Sequence, residues 1–224
     1  MSTKAPSLRF ERAFWSRGLK LVAGLDEVGR GAWAGPVVAC AAILPQLKRI
    51  PRSLALVRDS KLLSPEQRDM LVEPIREAVL AHAIGAATRT EVDEMGIVPA
   101  TKLAMKRALD QLNTTPMALL IDAVKLSDIK LPQRAIIHGD QLSLSIACAS
   151  ILAKVARDRM MVEMDDAVPG YAFGQHKGYG TPQHRAAVEK LGASIEHRVS
   201  FEPIKLCLFS QAGLEISDPE IATE

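Results

Sequence analysis

The sequence predicts an α/β domain, a mixed sheet flanked by helices with a C-terminal helical extension, and three observations predict it. Short apolar runs gather early in the chain and then alternate with segments of helical character, the order that builds a sheet with helices on both faces. Three of these runs close on or near an aspartate (Asp26, Asp122 and Asp140), as expected where parallel strands deliver side chains to one end of a sheet. No repeat, low-complexity stretch or long Pro/Gly-rich linker divides the 224 residues, so one core is expected.

In chain order, Leu21 to Leu25 is a short apolar run that passes into charges and glycines, and Val37 to Leu44 is a second, bounded by Pro36 and Pro45; both read as strands. Ser64-Pro65-Glu66-Gln67 opens a helix. Serine caps it, proline is tolerated at the first helical position, and Gln67 closes a capping box. Ala83 to Thr88 reads as a third strand in spite of alanine's weak strand preference. Thr90 is expected to cap a helical region carrying Leu103, Met105, Ala108, Leu109 and Leu112 at helical spacings. Met117 to Ile121 and Ala135 to Ile137 are two further strands. A long helix from Ser145 to Met164 begins on small residues (Ala147, Cys148, Ala149, Ser150 and Ala153), which let its axis approach a sheet closely. A last helix starts at Thr181-Pro182 and stops near Gly192, a C-terminal cap.

Composition narrows the class. Hydrophobic residues make up 48% and charged residues 24%, which is ordinary for a globular enzyme. The longest apolar run, Val37 to Leu44, falls far short of the roughly 20 residues needed to cross a bilayer. Met1 to Phe14 mixes charge into its apolar residues, so no secretory signal is read there. Cys40, Cys148 and Cys207 sit in apolar surroundings and read as core fillers in a reducing compartment, giving a cytoplasmic protein. All 28 basic residues precede residue 206; against 22 acids they give that body a net +6, and Glu215, Asp218, Glu220 and Glu224 give the tail −4. A basic body is compatible with a polyanionic partner.

The chemistry rests on carboxylates. Hydrolysing a phosphodiester requires neutralising phosphate charge, activating a water and stabilising the departing oxygen, and a pair of Mg²⁺ or Mn²⁺ ions can do all three. Such hard ions take oxygen ligands and keep several waters, so a few acids in one place suffice. Asp26, Glu27, Asp122 and Asp140 supply them. Without a cation they would repel and raise one another's pKa values. Asp26 and Glu27 are strand neighbours and should point to opposite faces, so both serve one site only if the strand ends or bends there. Gly29 and Gly31 follow at once and permit that turn.

These residues also spell out a family. Gly24-Leu25-Asp26-Glu27-Val28-Gly29-Arg30-Gly31 resembles the opening block of bacterial ribonuclease HII. Asp59-Ser60-Lys61 with Leu63-Ser64 resembles its second block, Leu120-Ile121-Asp122 its third, and Gly139-Asp140 supplies its fourth acid. Ala149 to Val155 with Arg157-Asp158, then His176-Lys177-Gly178-Tyr179-Gly180-Thr181, and His197-Arg198 with Ser200-Phe201 extend the likeness over about residues 21–205. The resemblance implies a ribonuclease H-like fold in residues 21–205, with an N-terminal extension (1–20) and an acidic tail (206–224) outside the match. It implies a two-metal mechanism with Asp26, Glu27, Asp122 and Asp140 as catalytic ligands of Mg²⁺ or Mn²⁺. The main chain around Gly29-Arg30-Gly31 would read a ribose 2′-hydroxyl, the group that marks RNA. Tyr179 would pack on the adjacent deoxyribose, and Lys61 would hold a phosphate. The implied substrates are RNA/DNA hybrids and duplex DNA carrying single ribonucleotides, cut 5′ of the ribonucleotide to leave a 3′-hydroxyl and a 5′-phosphate.

Two residues depart from the family's pattern: Ala123, where glycine is common, and Trp33, where smaller residues are typical. His176, Lys177, His184, Arg185, Lys190 and Arg198 are expected to give the C-terminal third a cationic face suited to phosphate. Lys154, Arg157 and Asp158 are expected to pair along the long helix, and His138 to be structural on a strand. A ribonuclease HIII-like nuclease and a non-catalytic nucleic-acid-binding module are the competing readings. A monomer without membrane attachment is expected, and a protein partner such as a sliding clamp is left open.

Overall fold

The computed structural model describes residues 5–211, with side chains through Leu208. Its order is α1 (Arg9–Trp15), β1 (Val22–Val28), β2 (Val37–Ile43), α2 (Pro65–Ala78), β3 (Ala81–Ala87), α3 (Arg89–Met95), α4 (Ile97–Asp110), β4 (Ala118–Asp122), β5 (Gln133–Ile136), α5 (Gly139–Leu142), α6 (Leu144–Ala167), α7 (Phe173–His176), α8 (Pro182–Leu191) and α9 (Glu202–Gln211). The sheet runs β3-β2-β1-β4-β5. β2 is antiparallel to β1 and β3, whereas β1, β4 and β5 are parallel, so the sheet is mixed as expected.

β2 is buried at every position, which is why it reads as an unbroken apolar run. Its alternate residues serve two layers. Cys40 and Ala42 pack with α2 and α6, and Ala39, Ala41 and Ile43 pack with α4. Gly24 of β1 faces α6, and a Cβ there would collide with the Ser145 backbone. The small residues at the start of α6 therefore do what their size suggests. β3 forms from seven residues, four of them alanine, because α4 and β2 cover it, tertiary packing overriding propensity.

Helix boundaries follow caps. Ser64 and Gln67 exchange the hydrogen bonds of a capping box at α2. The expected cap at Thr90 is displaced: Thr88 accepts from the Glu91 amide, Glu91 returns the bond, and Thr90 lies inside α3. The helical region read as one is split by Gly96, whose φ of 83° ends α3 and admits α4.

Asp140 does not close a strand. β5 ends at Ile136, the chain turns through His138 in the left-handed region (φ 56°), and Asp140 falls in the first turn of α5. His138 is thus a turn residue, not a strand residue. α1, in a segment without a sequence expectation, packs Phe14 beside Val22, Leu120 and Ile146. Its buried Glu11 accepts from the Ser143 hydroxyl (2.6 Å) and from the Ser145 amide (2.9 Å) and hydroxyl (2.8 Å) at the head of α6. The C-terminal helices close over Ala34, Met161, Tyr171, Phe173, Val188 and Ile204. Among the described residues no helix is long and apolar enough to cross a membrane. The acids assigned to the tail lie outside the described residues.

Candidate active site

The parallel pairing of β1 with β4 ends at Leu25–Ile121. Asp26 and Asp122 are the next residues on each strand, so both stand at the carboxyl ends of neighbouring parallel strands, where sites collect in such sheets. Asp122 Oδ1 accepts the Gly139 amide at 2.7 Å. That bond holds the start of α5 against β4 and brings Asp140, one residue further on, to the same end of the sheet.

β1 does not end at Asp26; it runs to Val28, paired with Val38 of β2. Asp26 and Glu27 nevertheless line one cleft of about 230 Å³ with Asp122, the Gly29–Gly31 loop, Lys61, Ser150, Lys154 and Tyr179. The reason is that β4 stops beside them, leaving that edge of β1 open. Asp26 Oδ1 accepts the Glu27 amide (2.8 Å), and Glu27 Oε1 accepts from Arg30 Nη1 (3.0 Å). Glu27 Oε2 is buried with no donor among the described residues. Asp140 is buried beside this cleft rather than in its lining, close to Asp59, Asp122 and Lys61.

The charges confirm the crowding. Burial, then Glu27 and Asp122, push the Asp26 carboxyl well above the usual range, against the opposing hydroxyl of Ser150. Glu27 is raised by burial, with Arg30 opposing. Asp140 rises to about 6 through burial and then Asp59 and Asp122, with Lys61 opposing. Burial lowers Lys61, but Asp140, Asp59, Asp26 and Asp122 together raise it further. Among the described residues no cluster of three or more His, Cys, Asp or Glu side chains is arranged to enclose a metal ion. Hard divalent cations do not need one, because they keep several waters. An all-oxygen donor set with excess negative charge and one orphaned carboxylate oxygen fits such a cation.

The residues expected to meet substrate surround these acids. Gly29 has φ 90°, and a side chain there would run into Arg157. Gly31 is exposed, with an ordinary φ and open space where a Cβ would be, so the fold itself leaves it free for something outside. Lys61 sits in a short 3₁₀ turn capped by Asp59, which accepts its amide at 2.9 Å. The half-buried Tyr179 ring lies beneath Lys154 Nζ (5.9 Å) and Arg157 (5.4 Å). The glycine loop and the Tyr179 loop are stitched together: Ala32 bridges Tyr179, and the Trp33 amide donates to the Gly178 carbonyl at 2.7 Å. Trp33, the unusual residue of that loop, covers Gly180 with its ring.

Two expectations are corrected. The cationic face is only partial, because His176, His184 and Arg198 are buried while Arg185 and Lys190 are exposed. Lys154 pairs with Asp158 (2.7 Å), but among the described residues Arg157 makes no ion pair; its guanidinium donates to the carbonyls of Pro36, Lys177 and Ala34. The sequence names Asp59, Ser150 and Lys154 within motifs or helix pairs but assigns them no place at the site, where the structure puts Ser150 and Lys154 in the cleft lining and Asp59 beside Asp140. Asp59 accepts from Gln141 (3.1 Å), and Ser150 donates to Ser60 Oγ (3.0 Å) beside Asp26. The sequence marks Asp59 only as the first residue of the second family block, Asp59-Ser60-Lys61.

Comparison with known proteins bears on this geometry. The family described as Ribonuclease HII matches residues 23–203. The chain is 47% identical over 204 residues to the Ribonuclease HII of Dehalococcoides mccartyi, covering 89% of this chain and 94% of that one. In fold it is similar to the ribonuclease H2 of Pyrococcus horikoshii OT3 (TM-score 0.68, 25% identity, 84% of this chain and 96% of that one). It is likewise similar to Bst-RNase HIII in complex with Mn²⁺ (TM-score 0.62, 23% identity, 85% and 70% covered).

Proposed function

Because the chain belongs to the ribonuclease HII family and is an endoribonuclease, we propose that it cuts the RNA strand of RNA/DNA hybrids and incises 5′ of single ribonucleotides in duplex DNA. The products are a 3′-hydroxyl and a 5′-phosphate. The observation that carries this reading is the placement of Asp26, Glu27 and Asp122 in one cleft with the glycine loop and Tyr179, with Asp140 beside Asp122.

Two Mg²⁺ or Mn²⁺ ions held by Asp26, Glu27, Asp122 and Asp140 would neutralise the phosphate and activate a water; the Mn²⁺ complex of Bst-RNase HIII is in keeping with that choice. The chain's own residues position the substrate. Arg30 holds Glu27 in place through its 3.0 Å bond while the flanking backbone reaches the ribose 2′-hydroxyl. The open space at Gly31 lets a sugar come close. Tyr179 stacks on the neighbouring deoxyribose, and Lys61, kept charged by the surrounding acids, holds a phosphate. The enzyme acts as a cytoplasmic monomer.

A duplex carrying one ribonucleotide, incubated with and without Mg²⁺ or Mn²⁺, tests this. Metal-dependent incision 5′ of the ribonucleotide is expected. Cleavage of long hybrids alone would favour a HIII-like specificity, and binding without cleavage would refute catalysis.

A further inference from the structure

Three histidines lie buried in the C-terminal layer, outside the acidic cleft, and their bonds form a directed chain. His184 Nε2 and His197 Nε2 are 2.9 Å apart, so one must donate and the other accept. The Ser194 amide donates to His197 Nδ1 at 2.9 Å, which leaves His197 its proton on Nε2. His197 Nε2–H therefore donates to His184 Nε2, and the proton of His184 sits on Nδ1. That Nδ1–H faces the carbonyl of Tyr179 at 3.0 Å. His176 is fixed in the same way: the Gly178 amide donates to its Nδ1 (3.2 Å) and its Nε2–H donates to the Tyr171 carbonyl (2.7 Å). Its ring stacks on His184 at 4.3 Å.

We propose that His197 and His184 are positioning residues, a tautomer-locked relay running from the Ser194 amide to the Tyr179 carbonyl that sets the height of the Tyr179 ring above the cleft. The relay rests on the junction-reading role proposed for Tyr179. Its geometry is suited to that work. Tyr179 is in the loop between α7 and α8; its own amide is held by the His176 carbonyl, its carbonyl accepts the Thr181 amide (2.8 Å) as well as facing His184, and it bridges to Ala32 in the glycine loop. Ala34 bridges His197, so the same two histidines also brace the far side of the glycine loop. A shift in either histidine moves the ribose-facing and deoxyribose-facing loops relative to each other.

The two rings call for opposite replacements. Asparagine keeps a donor at the Nδ1 position of His184 and loses only the link to His197, whereas glutamine reaches toward His197 and abandons Tyr179. At His197 glutamine keeps a donor at the Nε2 position and asparagine does not. The readout is the ratio of kcat/KM on a single-ribonucleotide duplex to that on a uniform RNA/DNA hybrid, with thermal unfolding followed alongside. His197→Gln should hold the wild-type ratio, while His184→Gln and His197→Asn should lower it about tenfold, on the scale that sub-ångström misplacement costs. His184→Asn, which keeps the Tyr179 bond but cuts the link to His197, should lower it by less than His184→Gln. Nitrogen NMR of the imidazoles should find His184 protonated on Nδ1 and His197 on Nε2. All four variants losing the ratio in step with their melting temperature would reduce the histidines to packing and overturn the relay. So would the reverse tautomers, or four unchanged ratios beside a Tyr179→Ala variant that loses discrimination. If Tyr179→Ala itself keeps the ratio while the tautomers are as deduced, the junction reading fails and takes the positioning role with it, leaving only the bonding pattern.

Discussion

At Asp26 a buried carboxyl accepts the Glu27 amide and faces two further acids, and at Glu27 one oxygen has no donor among the described residues. Both conditions are unfavourable for the apo fold and both are relieved by a cation. Asp26→Asn and Asp122→Asn should therefore each reduce turnover by on the order of 10³ or more, the scale on which losing a charge-stabilising group is felt. Metal-free Asp26→Asn should also unfold at a higher temperature than wild type, because a buried like charge is gone. Steady-state assays with calorimetric melting check both, and wild-type turnover in either variant would remove that residue from the site. The histidines give a pH signature of their own. Burial lowers His184 and His197 to about 4 from a usual value of about 6.5. The unfolded chain thus takes up protons that the folded chain refuses, so the stability they permit is full above about pH 6.5 and is lost as pH falls toward 4. Urea midpoints measured across that window should fall, and the fall should shrink in His184→Asn; a flat profile would contradict the burial of neutral rings. That Asp26, Glu27, Asp122 and Asp140 gather at one end of the sheet was legible, because the aspartates stand at or just beyond apolar runs and Glu27 adjoins Asp26 ahead of the glycine loop. The burial of His176, His184 and Arg198 was not, since a lone basic residue in a polar stretch carries no mark of the aromatic layer that covers it.

Among the elements, the turn after β4 shows why glycine is usual behind this aspartate. Ala123 has φ 52°, in the left-handed region, and its amide still donates to the Ile136 carbonyl at 3.0 Å. Ala123→Gly should stabilise the protein by about 1 kcal/mol, the usual penalty for a Cβ in that conformation. Denaturant titration decides it, and a destabilised variant would mean that something else holds the turn. α1 supplies a second case. Glu11 receives three donors from Ser143 and Ser145, at the head of the helix that follows Asp140. Glu11→Ala should cost about 1–3 kcal/mol through the donors left unpaired, read by the same titration. Capping chemistry was readable wherever the whole box is local, as at Ser64. It misled at Thr90 because two threonines compete and only Thr88 has Glu91 three residues on. α1 itself gave no periodic pattern over its two turns, and its role depends on Ser143 and Ser145, far away in sequence.

For the whole molecule, the alternation of β2 between two helical layers and the parallel trio β1, β4 and β5 decide where function can sit. With both faces of the sheet covered, the carboxyl ends of the parallel strands are the open end of the core. Strand order and the antiparallel β2 were not legible, because pairing partners are set by packing over long separations. A mixed sheet with an acid-rich edge was, because the apolar runs and their terminal acids are local. The C-terminal layer then completes the cleft by bringing Tyr179 over the edge of α6, where Lys154 and Arg157 lie against its ring.

The central claim is that acids from β1, β4 and α5 act together on divalent cations. Calorimetric titration of Mn²⁺ into wild type, Asp26→Asn and Asp122→Asn measures this without relying on turnover. Saturable Mn²⁺ binding to wild type, strongly weakened in both variants while their folds remain intact, is the expected result; Mn²⁺ binding of equal strength in all three proteins would contradict it.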